Sequence, residues 1–310
     1  MVVQSEKIEQ HEQSRDLTAE IGDLDCRRNL KIRTFVGFVL TPVFRDLQPR
    51  LKYADMGRRG VTPMQYYQDF VNHPAPFGYG DEFAGHYAVR LCRSVSDEPR
   101  GPSGAVQRVE RLILETRATV TGFLATGAPA ALGYQPELGA PATAGTGRVL
   151  HVLTRPKNPP GHRWVSEIPP EIDFLELQDL GGPYPTIPQL SAIGDGFDPI
   201  AGVRPGGIWG MANADVYQHV HAREYLMAME NGITSGLIAA AIPPGAYTPR
   251  RARVIFRRPS FVGQSYALGI RLHRRGDDIV ALGTFHDAAE DPLADAGRAA
   301  VFLRLEGRLA

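Results

Sequence analysis

The 310-residue chain is long enough for two ordinary domains or one large one, and its 34 basic and 34 acidic side chains cancel. Balanced charge excludes a nucleic-acid binder or a membrane anchor that rests on a net basic field, and 43% hydrophobic against 22% charged residues excludes global disorder. Two cysteines, Cys26 and Cys92, exclude a disulfide framework and a thiolate zinc site alike.

In chain order, residues 1–30 are charged and poor in large apolar groups, which predicts a mobile arm or a short surface helix. They hold no apolar core of a secretory signal, and no apolar run of about 18 residues follows anywhere. With so few cysteines, the expected setting is cytoplasmic, with no membrane and no nucleic acid as partner. Residues 34–43 are apolar, β-branched and aromatic, which predicts a strand. Over 61–71, Met64, Tyr67, Phe70 and Val71 recur at helical spacing behind Pro63, which predicts a helix. Residues 109–124 alternate apolar and polar as a strand does, and 86–95 is its expected partner across a loop rich in Gly, Pro and Ser.

Residues 126–208 are dense in Gly and Pro, which predicts a connection over the surface with short strands such as 148–153. Trp164, Phe174 and Leu177 are its expected anchors. After Gly206 comes a short strand at 207–211. A helix over 220–238 follows, with Ala222, Tyr225, Leu226, Met229 and Ile233 on one face. Strands at 251–256, 266–272 and 278–285 come next, with a tight turn at 274–276, and a last strand at 299–305. The order of short strand, helix and antiparallel strands thus occurs twice, over 31–150 and 206–310, with 151–205 between. That is an α+β plan.

The run Asn213-Ala-Asp215-Val-Tyr217-Gln-His219-Val-His221 enters the second helix. On helix chemistry alone, Asp215 reads first as an N-cap and His219 as a hydrogen-bonded core histidine. The sharper reading uses free N–H groups at a helix start to polarise a carbonyl. A neighbouring carboxylate then acts as base or nucleophile. His221 lies two residues from His219, so on a helix the two point apart, and no metal site is expected.

This run resembles the helix entry of hotdog-fold thioesterases, roughly D-x-N-x-H-V-N-x-x-x-Y, through Asp215, His219, Val220 and Tyr225. Tyr217 and His221 stand where the two Asn are usual. The first half, with Asp55 ahead of Tyr66 and Tyr67, is similar to the N-terminal hotdog of acyl carrier protein thioesterases. The resemblance implies a double hotdog: two long helices, each wrapped by an antiparallel β-sheet, with an acyl carrier protein or acyl-CoA as partner. It implies no cofactor and leaves a homodimer open. It implies hydrolysis of an acyl thioester with Asp215 and His219 as catalytic residues; Tyr217, a departure from the pattern, joins the catalytic set as a phenol beside both, able to serve as acid or nucleophile. Asp55, Tyr66 and His221 would line the substrate pocket, and Arg257 and Arg258 would offer a basic rim to a phosphate or an acidic carrier. Pro259 and Ser260 stand where the family carries Glu and Cys. With Tyr217 in place of Asn and Pro259 in place of Glu, two of its four polar partners are replaced. Dehydration, cyclisation or acyl transfer with decarboxylation in polyketide or fatty-acid synthesis are the alternatives, as is acyl binding without turnover.

Overall fold

The computed structural model describes residues 7–20, 23–25, 27, 29–42, 49, 51–78, 80–100, 105–126, 137–159, 162–215, 218–288 and 296–310. Among them, twelve strands form one sheet. The first half contributes β1 (His11–Ala19), β2 (Thr62–Asn72), β3 (Gly80–Arg100), β4 (Ala105–Thr126) and β5 (Glu137–Thr154). The short strands β6 (Leu177–Asp179), β7 (Asp198–Val203) and β8 (Gly206–Ile208) follow. The second half contributes β9 (Tyr247–Phe256), β10 (Ser265–Arg275), β11 (Asp278–Asp287) and β12 (Val301–Leu309). The helices longer than six residues are α1 (Ile32–Pro42) and α2 (Ala222–Ala239).

The strand order is β1-β3-β4-β5-β2-β9-β12-β11-β10-β7, with β6 joined to β3 and β8 to β10. It is a palindrome about the antiparallel β2–β9 pair, where Tyr67 faces Ile255 and Phe70 faces Ala252. Each half runs edge strand, helix, central strand and a three-stranded meander. The two expected repeats therefore share one continuous sheet. Every neighbour on the main path is antiparallel.

Both helices lie on one face of the sheet. In α1, Ile32, Phe35, Val36, Val39 and Leu40 are buried, a stripe at i, i+3, i+4, i+7 and i+8. Each such side chain contributes about 1.5–3 kcal/mol when fully buried. In α2 the stripe is Tyr225, Leu226, Met229, Ile233 and Leu237. Gly232 and Gly236 let this helix sit directly on β10, because a methyl group there would collide with Ile270 and Leu272. The opposite face holds a smaller cluster of Tyr67, Cys92, Ile113, Leu150 and Phe302, covered by Leu180, Tyr184 and Leu190. The Arg111 guanidinium lies 4.6 Å from the ring centres of both Trp164 and Tyr184, which clamps the connection to β4. Beneath it the fully buried Glu115 carboxylate accepts from Arg90 and Arg148, which holds its pKa below the usual range despite burial.

Several elements differ from the sequence expectation. Of residues 34–43, expected as a strand, 34–42 belong to α1, and residue 43 lies outside the described residues. Their β-branched composition outweighed a helical stripe that begins two residues earlier, at Ile32. Residues 61–71, expected as a helix, are strand from Thr62 onward, in β2. The ladder to β5 shifts register between Gln65 and Tyr67. That bulge adds a residue and turns a period of two into an apparent period of three to four. Pro63 is tolerated because β9 pairs only with Tyr67–Val71, leaving the β9 side of Pro63 without a ladder. Residues 11–19 of the expected arm form β1 against β3. The helices are unequal, with 11 residues in α1 and 18 in α2. No helix among the described residues is long and apolar enough to cross a membrane.

Candidate functional site

The helix α2 starts at Ala222, with the exposed His221 as its N-cap. Asp215 and His219 therefore lie in the loop before the helix. The reason is local. Asp215 Oδ1 accepts from the His219 N–H at 3.0 Å, and the Asp215 N–H donates to the His219 carbonyl at 2.9 Å. These bonds replace helical ones. Gln218 takes φ 65°, the left-handed region, at a cost of about 1–2 kcal/mol for a residue that is not glycine. Tyr217 lies outside the described residues.

The β9–β10 connection packs on this loop. The Val220 N–H donates to the Ser260 carbonyl at 2.9 Å, and the His219 and Phe261 rings meet edge-on at 5.0 Å. The Ser260 N–H in turn donates to the Tyr225 hydroxyl at 3.2 Å. Tyr225 belongs to an aromatic floor with Trp209 and Phe285, at ring separations of 5.1 Å from each. Burial raises the Tyr225 pKa. Arg257 and Arg258 stand exposed at the start of the same connection, their N–H groups on the Ala300 carbonyl. Arg258 is also 3.7 Å from Asp287.

Sequence reasoning missed two residues of this network. Asn213 Oδ1 accepts from the Gly210 N–H at 2.8 Å, and its Nδ2 donates to Glu224 Oε2 at 2.8 Å. Glu224 is buried and takes a second bond from Arg223 at 3.0 Å. These bonds fix the loop to the first turn of α2. Beyond Glu224, a cavity of about 480 Å³ runs between the helices toward β1, with Arg15, Arg33 and Arg223 on its wall.

The structure brings Asp215, His219 and His221 together, with Arg257 and Arg258 at the head of the adjoining connection. The described contacts of Asp55 and Tyr66 lie elsewhere. Asp55 sits in the short helix Tyr53–Arg58 and pairs with Arg58. Tyr66, expected on a helix, is on β2, stacked on Tyr184 with ring centres 4.5 Å apart, and its hydroxyl donates to the Pro185 carbonyl at 2.8 Å.

The true counterpart of the Asp215 loop in the first half is the segment before α1. By their backbone bonds, Asp23, Asp25, Asn29 and Lys31 stand where Asn213, Asp215, His219 and His221 stand in the second half. The Asp25 N–H donates to the Asn29 carbonyl, and the Asn29 N–H to Asp25 Oδ1, both at 2.9 Å. The Lys31 N–H reaches the Asp23 carbonyl as the His221 N–H reaches that of Asn213, each at 2.9 Å. Thr34 donates to Asp23 at 2.9 Å in the place of the Asn213–Glu224 bond. The spacing Asp-x-x-x-Asn ahead of an apolar helix was the available signal.

No protein-family model and no curated protein matches the sequence. Solved structures do. A protein described as an oleoyl thioesterase from Lactobacillus plantarum superposes with a TM-score of 0.61 at 10% identity, covering 97% of this chain and 95% of that one. The 12:0-ACP thioesterase from Umbellularia californica gives 0.59 at 11% identity, over 97% and 94%. An acyl-ACP thioesterase from Bacteroides thetaiotaomicron gives 0.56 at 11% identity, over 96% and 98%. At such identities the likeness establishes architecture, and with the palindromic sheet and its two helices the chain has the double hotdog fold of these proteins.

Proposed function

We propose that this protein hydrolyses an acyl thioester carried by coenzyme A or an acyl carrier protein, at the Asp215–His219 loop. The observation that carries the reading is the pairing of that loop with a double hotdog fold shared along nearly the whole chain with acyl-ACP thioesterases. The thioester carbonyl would lie at the start of α2, where N–H groups of the first turn have no helical acceptor. Asp215 is the base that takes a proton from water. His219 gives a proton to the thiolate as the C–S bond breaks, and the proton held by Asp215 then passes to His219, so that both groups are restored. Tyr217 is a further acid on the sequence alone.

His221 would contact the substrate from the N-cap. The phosphate-bearing arm of the carrier would meet Arg257 and Arg258, with Arg223 at the mouth of the cavity between the helices. The test is incubation with a panel of acyl-CoA and acyl carrier protein thioesters, followed by intact-mass analysis of protein and products. Free acid with free thiol supports hydrolysis. Loss of one water from the acyl group, or an acyl adduct on the protein, refutes it in favour of dehydration or acyl transfer.

A further inference from the structure

The loop before α1 faces a cavity of its own. About 270 Å³ opens between Asp25, the start of α1 and the middle of α2. Its wall carries Lys31 just ahead of α1, Arg33 from α1, Asn72 from β2, Glu230 from α2 and Tyr247 from β9. Two of these polar groups are buried without a hydrogen-bond partner among the described residues. Asn72 is 5% exposed; its Nδ2 donates to the Leu30 carbonyl at 2.8 Å, which leaves Oδ1 unused. The Tyr247 hydroxyl is likewise buried and unpaired. Leaving such groups dry costs about 1–3 kcal/mol each, which a bound polar molecule would offset.

The repeat makes the position of this cavity meaningful. It lies against the Asp25–Asn29 loop, the twin of the Asp215–His219 loop. In the alignment that pairs Asp25 with Asp215, the counterpart of Glu230 is Leu40, which is buried and apolar. A carboxylate on the facing helix is therefore a property of this half only. Asp25 is fully engaged, with Oδ1 accepting from Arg27 and Asn29 N–H groups and Oδ2 from Asn29 Nδ2. It shapes the loop, and Glu230 is the carboxylate left to act.

We propose that this cavity is a second acyl-thioester site, related to the first by the internal repeat, with Glu230 as its acid–base group. The proposal rests on the thioester reading above and adds to it a separate location. Glu230 takes a proton from water as the water oxygen attacks the thioester carbonyl. The C–S bond breaks, and Glu230 returns the proton to the thiolate, so that one thioester and one water give one carboxylic acid and one thiol. The Tyr247 hydroxyl is placed to donate to the carbonyl oxygen, and Lys31 and Arg33 form a basic edge for the carrier arm. Burial pushes the Glu230 carboxyl up to about 7, against the opposing pull of Arg33 and Lys31, so near neutral pH it exchanges protons in either direction.

The probe is an S-(2-oxoalkyl) thioether of pantetheine, the arm common to coenzyme A and carrier proteins, which keeps the carbonyl and cannot be cleaved. Calorimetric titration should give two equivalents per chain for the wild type and one for Thr234→Trp. Thr234 lines the cavity and is exposed, so the bulky ring fills it without entering the core. Asn231→Trp, also exposed and lining, is the second filling variant, and unfolding midpoints confirm that both fold. Turnover that survives Asp215→Asn should inflect near pH 7 and fall at least about 10²-fold further in Glu230→Gln. Unchanged stoichiometry in both filling variants overturns the proposal. A single equivalent that the filling variants abolish supports this site and refutes the Asp215 assignment instead. No binding and no turnover with any thioester refutes the thioester reading, and the second site with it.

Discussion

Arg251 on β9 grips Asp69 on β2 with two parallel hydrogen bonds, Nε to Oδ1 at 2.8 Å and Nη2 to Oδ2 at 2.6 Å. This fork spans the seam where the two repeats become one sheet. Tyr67 adds its hydroxyl to Asp69 at 3.2 Å, and the bond to Asp69 raises the Arg251 pKa further above its already high range. The pair is partly exposed, at 39% for Arg251 and 14% for Asp69, so it is weaker than a fully buried one. A double-mutant cycle on Asp69→Asn and Arg251→Gln, followed by denaturant unfolding, should show a coupling of about 1–2 kcal/mol. Additive effects would mean that β2–β9 pairing alone holds the seam.

Gly232 offers a sharper test of the helix–sheet contact. Alanine in a helix interior is favoured over glycine by about 1 kcal/mol. Here the added methyl group meets the Ile270 Cδ1 atom, and overpacking costs about 1–3 kcal/mol. Gly232→Ala should therefore destabilise despite its better propensity. Ile270→Val deletes that one atom and alone should cost about 0.5–1.5 kcal/mol. The double variant should be more stable than either single one. If Gly232→Ala is stabilising by itself, the close approach of α2 to β10 is wrong.

The second half was legible because its signals are local and agree. An amphipathic helix, the four strands after it and a turn at Gly276 each follow from a short window of sequence. The first half misled for two physical reasons. In α1 the β-branched and aromatic content of residues 34–40 obscured a stripe that only becomes clear when Ile32 is included. In β2 the bulge at Tyr66 disguised alternation as helical spacing. Those two errors displaced the search for the first half's loop from Asp25 to Asp55. The antiparallel α+β plan survived them, since exchanging one helix with one strand leaves the composition of each half unchanged, but the expected pair of long helices did not: α1 has 11 residues. Glu230 and Glu224 were not legible at all. Each sits on an amphipathic helix like any solvated glutamate, and only the tertiary structure shows what encloses it.

Two buried groups should give stability opposite pH slopes. Burial pushes His151 down to about 4 from an ordinary 6.5, so its contribution is full above pH 6.5 and is lost as pH falls through about 4. Glu230, raised from 4.5 to about 7, does the reverse. Its folded form holds the proton that the unfolded chain has released, so its contribution is full below pH 4.5 and is lost as pH rises through about 7. Each is worth up to about 3 kcal/mol at 1.36 kcal/mol per pH unit. Between about pH 4.5 and 6.5 the two slopes should nearly cancel in these contributions. Single variants unmask them. Denaturant midpoints of Glu230→Gln should rise with pH up to about 6.5, and those of His151→Gln should fall from about 4.5 to 7. Parallel profiles for all three proteins would show that neither group titrates abnormally.

The internal repeat supplies a neutral replacement for His219. Asn29 occupies the corresponding place in the first loop, with the same N–H bond to its aspartate and the same carbonyl bond in return. His219→Asn should therefore keep the backbone bonds of the loop while removing the imidazole, at a stability cost limited to the lost edge-on contact with Phe261, about 0.5–1.5 kcal/mol. Asp215→Asn is the matching change on the other side, because the amide oxygen still accepts from the His219 N–H and the base is gone. If the two residues act on the thioester, each variant should lose about 10²–10⁴-fold in kcat at this site, and the double variant should lose little more than the worse single one, as groups acting in one step do. Asp215→Ala is the contrast: it loses the loop acceptor too and should also be less stable by about 1 kcal/mol. Any turnover that persists should be the share sensitive to Glu230→Gln. Full activity in both His219→Asn and Asp215→Asn, with stability intact, would reduce the loop to a structural turn.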